Sequence, residues 1–184
     1  MQRELDGASA RRLRLVTVHG YVEGLIRTNP NVSTLHYLNV AAMSRSFVVV
    51  HPPIETSKGW NVAGGSLALS ISSVLFAQEI SEYTPVPGDL AAAAQYERCP
   101  IRLNVGDYAA EGFLHLPPGA NPMDRLNQDR HEFFALSSVS VIGPELQFAA
   151  PFLAIRRSQV IATQAIDENT SLESEVEREM ATTC

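Results

Sequence analysis

The chain of 184 residues is 45% hydrophobic and 18% charged, with a formal net charge of −6. That composition fits one medium domain or two small ones of roughly 70–90 residues. Residues 167–184 hold six acids against Arg178 alone, so the body is nearly neutral, which disfavours a dedicated nucleic-acid binder.

The opening stretch MQRELDGASARRLRLV lacks the apolar core of a signal peptide. No apolar run approaches the roughly 20 residues that span a bilayer. Cys99 and Cys184 stand alone and compose neither a disulfide framework nor a zinc site. These features imply a cytoplasmic protein with no membrane span.

In chain order, residues 1–12 read as an N-terminal arm. Two strands then flank a hairpin turn at His19-Gly20, and the second stops before Pro30. Ser33 caps a helical turn in which Leu35 and Leu38 recur at helical spacing. A strand over Ser46–His51 ends at Pro52-Pro53, and the stretch IETSKGWNVAGG follows. Strands over Ser66–Ile71 and Val74–Ile80 close this part. Residues 81–98 form a linker marked by Pro85, Pro87 and Gly88, with Asp89 capping a short helix.

Strands then recur over Ile101–Val105 and Ala109–Leu116, around Gly106-Asp107. Pro117-Pro118-Gly119 stops the second of them, and Asn121 caps a helical turn with Pro122 at its first position. Phe133–Ile142, Leu146–Ala149, Phe152–Ile155 and Gln159–Ala165 read as further strands. In the tail, Thr170-Ser171-Leu172-Glu173 has capping-box spacing. Leu172, Val176 and Met180 then form one narrow apolar stripe on an acidic helix.

The chain is written twice. RLVTVHGYVEGLI (Arg14–Ile26) matches RLNVGDYAAEGFL (Arg102–Leu114) at an offset of 88 residues, which aligns Glu23 with Glu111 and Gly24 with Gly112. The offset continues through Leu38-Asn39 and Leu126-Asn127, then becomes 86 for Phe47/Phe133, Leu67/Leu153 and Val74/Val160. An ordered series of this kind indicates internal duplication. The domain boundaries expected are therefore 13–80 for the first repeat, 99–166 for the second and 167–184 for the acidic helical tail. Each repeat holds about five short strands, which favours a small closed barrel because closure removes unpaired edges.

HGYVEGLI resembles the first motif of the Sm-like fold, in which a turn Gly is followed four residues later by a bend Gly. FLAIRRSQVIA resembles the second motif, in which an apolar residue, Arg and a small residue precede the last strand. Tyr108 replaces the turn Gly in the second repeat, and the Arg-Gly of the family stands as Arg156-Arg157 there and as Ser72-Ser73 in the first. The phrase LPPG…DRLN more closely resembles an uncharacterised bacterial domain family of Sm-like appearance. The resemblance implies a mainly β fold of two tandem five-stranded Sm-like barrels, with edges at strands four and five that pair with a neighbour. It also implies that the Arg156-Arg157 turn contacts RNA.

No histidine pair has metalloprotease spacing and no G-x-S-x-G occurs, so neither catalysis, cofactor nor metal is expected. Candidate contacts for RNA or a partner are Arg156, Arg157, Arg12, Arg14 and Trp60, the last in a loop where a contact and a barrel-capping role are both open. Few aromatics for stacking weigh against RNA. The expectation is a non-enzymatic scaffold that binds itself or another protein subunit, with the Leu172, Val176 and Met180 stripe for docking. An Sm-like RNA-binding regulator is the alternative.

Overall fold

In the computed structural model, residues 9–44, 46–57, 65–80, 96–144 and 146–166 are described. Trp60, the linker helix and the tail stripe lie outside them. The protein is mainly β, with ten strands and two helices among those residues. The first repeat contains β1 (Ser9–Thr17), β2 (Gly20–Thr28), α1 (Thr34–Met43), β3 (Phe47–Thr56), β4 (Leu67–Ser70) and β5 (Val74–Glu79). The second contains β6 (Glu97–Val105), β7 (Tyr108–Leu116), α2 (Pro122–Gln128), β8 (Phe133–Ile142), β9 (Gln147–Arg156) and β10 (Val160–Ala165). A 3-10 turn precedes the last strand of each repeat.

The hydrogen-bonded strand order is the same in both repeats. The first runs β5-β1-β2-β3-β4 and the second β10-β6-β7-β8-β9, with antiparallel pairing throughout the registers. The expected closure within each repeat is not made: strand four does not return to strand five of its own copy. Instead β9, the fourth strand of the second repeat, pairs with β5, the fifth of the first, at Phe76↔Ile155 and Ala77↔Ala154.

Two compact units result. The first holds residues 1–84 together with 131–135 and 153–158, and the second holds 85–130, 136–152 and 159–184. The first unit therefore takes in the start of β8 and the end of β9. Its core joins Leu13, Leu15, Val22, Ile26, Leu38 and Val48 to Phe133 and Ala154. Ile101, Leu103, Val105, Leu116, Leu136 and Val141 of the second unit are equally buried. Alternation is clear in β7, whose burial switches residue by residue from Tyr108 to Leu116, as a strand with one oily face requires.

Both bend glycines mark a break in pairing. The β2–β3 register shifts on either side of Gly24, and the β7–β8 register shifts between Glu111 and Phe113. At Gly112 the reason is space: a Cβ would lie 3.0 Å from the Ser137 carbonyl oxygen and from Val139 Cγ2. Opposite that bend, Ser138 adopts a φ of 50°, so β8 bulges as β7 turns the sheet.

Several elements run further than their sequence signals. β3 continues through Pro52-Pro53, and β9 continues through Pro151. In each case the proline falls where neighbours are few. β4 pairs only with Phe47–Val50 of β3, and β5 only with Ala154 and Ile155 of β9. A missing N–H is tolerated beside such one-sided stretches. α1 extends to ten residues rather than a single turn. Thr34 Oγ1 donates to Glu79 Oε2 at 2.6 Å, and Arg11 Nη1 donates to the same carboxylate at 3.3 Å. The start of α1 is thus tied to β1 and β5. No helix among the described residues is long and apolar enough to cross a membrane.

Candidate functional site

The feature most developed in the first unit is a seat for the segment that the second repeat contributes. α1 builds it. Ser33 accepts from the His36 amide at 3.2 Å, which starts the helix, and Leu38 then turns into the core. The next residue, Asn39, is buried. Its Nδ2 donates to the Phe133 carbonyl at 3.0 Å, while the Phe133 amide donates to its Oδ1 at 2.8 Å. One carboxamide thus satisfies both backbone polar groups of a residue that is 1% exposed. A buried amide left unpaired would be costly, so this match fixes where β8 begins.

A second anchor lies at the end of β9. Arg156 Nε donates to Glu132 Oε1 at 2.6 Å, and Arg156 Nη1 donates to the Ile71 carbonyl at 3.1 Å. Ser158 Oγ also donates to Glu132, and the Arg157 amide donates to the Glu132 carbonyl at 2.8 Å. Burial pushes the Glu132 carboxyl up, but the bonds from Ser158 and Arg156 and the charges of Arg156 and Arg157 outweigh it. The net shift is downward. This group is an ion-paired clasp between the 3-10 turn of the first repeat and the β8 and β9 ends.

Arg156 is therefore engaged in the clasp, and Arg157 is half-buried beside it. Arg12 and Arg14 converge on Glu23: Arg12 Nε donates to Oε1 at 2.6 Å and Arg14 Nη2 to Oε2 at 3.0 Å. Glu23 is buried, and Arg14 sits directly opposite it in the β1–β2 register. Arg102 and Glu111 repeat that pairing at 3.2 Å in the second unit. Sequence reading aligned these four residues without recognising them as ion pairs. Their signal was present, since equal positions on two hairpin strands face one another.

The counterparts of the seat in the second repeat stand open. Asn127, equivalent to Asn39, is exposed, and α2 buries no residue whereas α1 buries four. Its cap is sound, with Asn121 Oδ1 accepting from the Met123 amide at 2.8 Å. What α2 lacks is the side-chain tie to the first and last strands of its repeat, because Pro122, Ala165 and Cys99 stand where Thr34, Glu79 and Arg11 stand in the first repeat. β10 is exposed or half-exposed throughout, while Val74–Ala77 of β5 are all buried. Ile161 is 74% exposed and its equivalent Leu75 is 1% exposed.

The complementary element is also open. Phe47, equivalent to Phe133, is 62% exposed. Val40 and Met43 of α1 and Val49 of β3 are exposed apolar residues on neighbouring stretches of the first unit. β4 pairs with β3 and with no other described strand, and β10 pairs with β6 alone.

Two serine–histidine pairs were not anticipated. His115 Nε2 lies 2.6 Å from Ser137 Oγ, and His51 Nδ1 bonds Ser66 Oγ. Across from His115 in the β6–β7 register stands Arg98, whose guanidinium lies over the Phe113 ring and donates to Ser138. Burial and the Arg98 charge both push the His115 ring toward its neutral form. Among the described residues no carboxylate bonds the second ring nitrogen, so the pair lacks the orienting acid of a hydrolytic triad. Among the described residues, too, no three His, Cys, Asp or Glu side chains gather as a metal site.

No family model, curated protein or solved structure matches this chain.

Proposed function

We propose that this protein is a non-enzymatic scaffold built from two tandem Sm-like modules, whose copies join head to tail through the β4 and β10 edges. One observation carries the reading: β5 pairs with β9, a fifth strand with a fourth. Among the described residues, every chain then offers a fourth strand, β4, and a fifth strand, β10, each paired along one edge and open along the other. Such edges are a liability unless covered. A contact between unlike surfaces propagates until the copies close on themselves.

The duplicated register names the partners. Phe76↔Ile155 and Ala77↔Ala154 translate into Ala162 opposite Leu69, and Thr163 opposite Ala68, of a second copy. Scaffolding is preferred to RNA binding because Arg156, Arg12 and Arg14 are already paired with carboxylates.

Light scattering across a concentration series tests this. Association of the full chain is expected, and Ile161→Lys is expected to reduce it at least tenfold, since a charge on an exposed edge blocks pairing. A wild-type chain that stays monomeric at every concentration overturns the reading.

A further inference from the structure

We infer that Asn127 of one copy grips the backbone of Phe47 of the next, as Asn39 grips Phe133 within the chain. This deepens the head-to-tail reading and rests on it. Asn39 and Asn127 are equivalent at the offset of 88, and Phe47 and Phe133 at the offset of 86. Within the chain, the Asn of the first repeat holds the Phe of the second. The Asn of the second repeat and the Phe of the first are the two left over.

Both leftovers are exposed, and in a pattern that the occupied seat explains. Phe133 and Asn39 are buried where they meet, while Phe47 and Asn127 face solvent. The contrast extends to the flanking strands, where buried Leu75 answers to exposed Ile161. Phe47, Val40, Met43 and Val49 are large apolar residues left exposed on α1 and β3, and exposed apolar surface of this kind, where contiguous, marks an interaction site. Phe47 and Val49 belong to the β3 stretch that pairs with the open β4 strand. A second copy of this chain is the occupant that fits, because the same chain already fills the equivalent seat with the same residue type.

The junction between copies is built more lightly than the one inside the chain. Glu132 and Arg156 are replaced by Ser46 and Ser70 at the equivalent positions. No ion-paired clasp forms there, and Ala162 replaces the fully buried Phe76. The junction therefore opens on dilution, whereas the internal one does not.

Two measurements on the full chain separate this inference from the edge reading. In a Cys99→Ser, Cys184→Ser background, Ala68→Cys with Thr163→Cys is expected to give a ladder of disulfide-linked oligomers, since directly opposed residues lie within bridging distance. Separately, Asn127→Ala and Phe47→Ala are each expected to raise the dissociation constant at least tenfold in sedimentation. Asn127→Ala is expected to leave the thermal midpoint of the dilute chain unchanged, because its side chain is exposed there. A ladder together with an unaltered dissociation constant in Asn127→Ala overturns the Asn127 grip and leaves the edges standing. No ladder and no association overturns both, whether or not another protein binds the Phe47 patch.

Discussion

Asn39 and Phe133 are 94 residues apart in the chain, and the side chain of one carries both backbone hydrogen bonds of the other. The pairing suits a carboxamide, which holds a donor and an acceptor side by side at any pH. Asn39→Ala would leave the Phe133 amide and carbonyl buried without partners. A loss of about 2–4 kcal/mol is expected, read from urea unfolding of the whole chain. A loss under about 0.5 kcal/mol would mean that water replaces the carboxamide freely.

Glu23 and Glu111 occupy equivalent positions but differ in burial, with side chains 2% and 15% exposed. Removing a buried acid strands the arginines that face it, which costs about 3–5 kcal/mol for a fully buried pair. Glu23→Ala is therefore expected to destabilise more than Glu111→Ala. Equal losses would show that both pairs are effectively solvated.

Two glycines separate crowding from backbone strain. A Cβ at Gly143 would lie 2.1 Å from Tyr108 Cδ1, and Tyr108 is itself buried. Gly119 has open space around it but a φ of 75°. Gly143→Ala is expected to cost about 1–3 kcal/mol through overpacking, and Gly119→Ala about 1 kcal/mol through strain. Tyr108→Ala removes the ring that the new Cβ would strike, so Gly143→Ala is expected to cost less in a Tyr108→Ala background than in the wild type, whereas the cost of Gly119→Ala is expected to be the same in both. Thermal melts of the single and double variants check this.

The depressed pKa of Glu132 has a defined sign. Its contribution is present above the unfolded value of 4.5 and is lost as pH falls through the lower folded value. The wild type should therefore lose stability on acidification below about pH 4.5 more steeply than Glu132→Gln. Parallel curves for the two proteins would remove the clasp from the account.

His115 is shifted down, and here the folded state resists the proton. The unfolded chain binds it first, at about 6.5, so stability declines as pH falls from there toward the lower folded value. The ring should titrate below 6.5 by NMR, and Arg98→Gln should bring the midpoint back up. A midpoint at or above 6.5 in the native chain would contradict the cause assigned.

Much of this architecture could be read before any coordinates. Local signals carried the hairpins, the Ser33 and Asn121 caps and the Phe133–Ile142 strand, because turn chemistry and alternation act within a few residues. The prolines misled. Pro52-Pro53 was read as a strand end, and Leu146–Ala149 and Phe152–Ile155 as separate strands, yet the backbone continues through Pro52-Pro53 and Pro151 where pairing is one-sided. Arg156, read as a candidate contact for RNA or a partner, sits in the Glu132 clasp, whose carboxylate is 24 residues away and so invisible to local sequence signals.

The duplication, the strand-rich class and the equivalence of Asn39 with Asn127 and of Phe47 with Phe133 were written in the residues themselves. Which member of each pair is covered was decided by the tertiary structure. A strand edge offers the same backbone groups whatever its sequence, so only the fold could decide that β9 covers β5 while, among the described residues, β4 and β10 keep one open edge each.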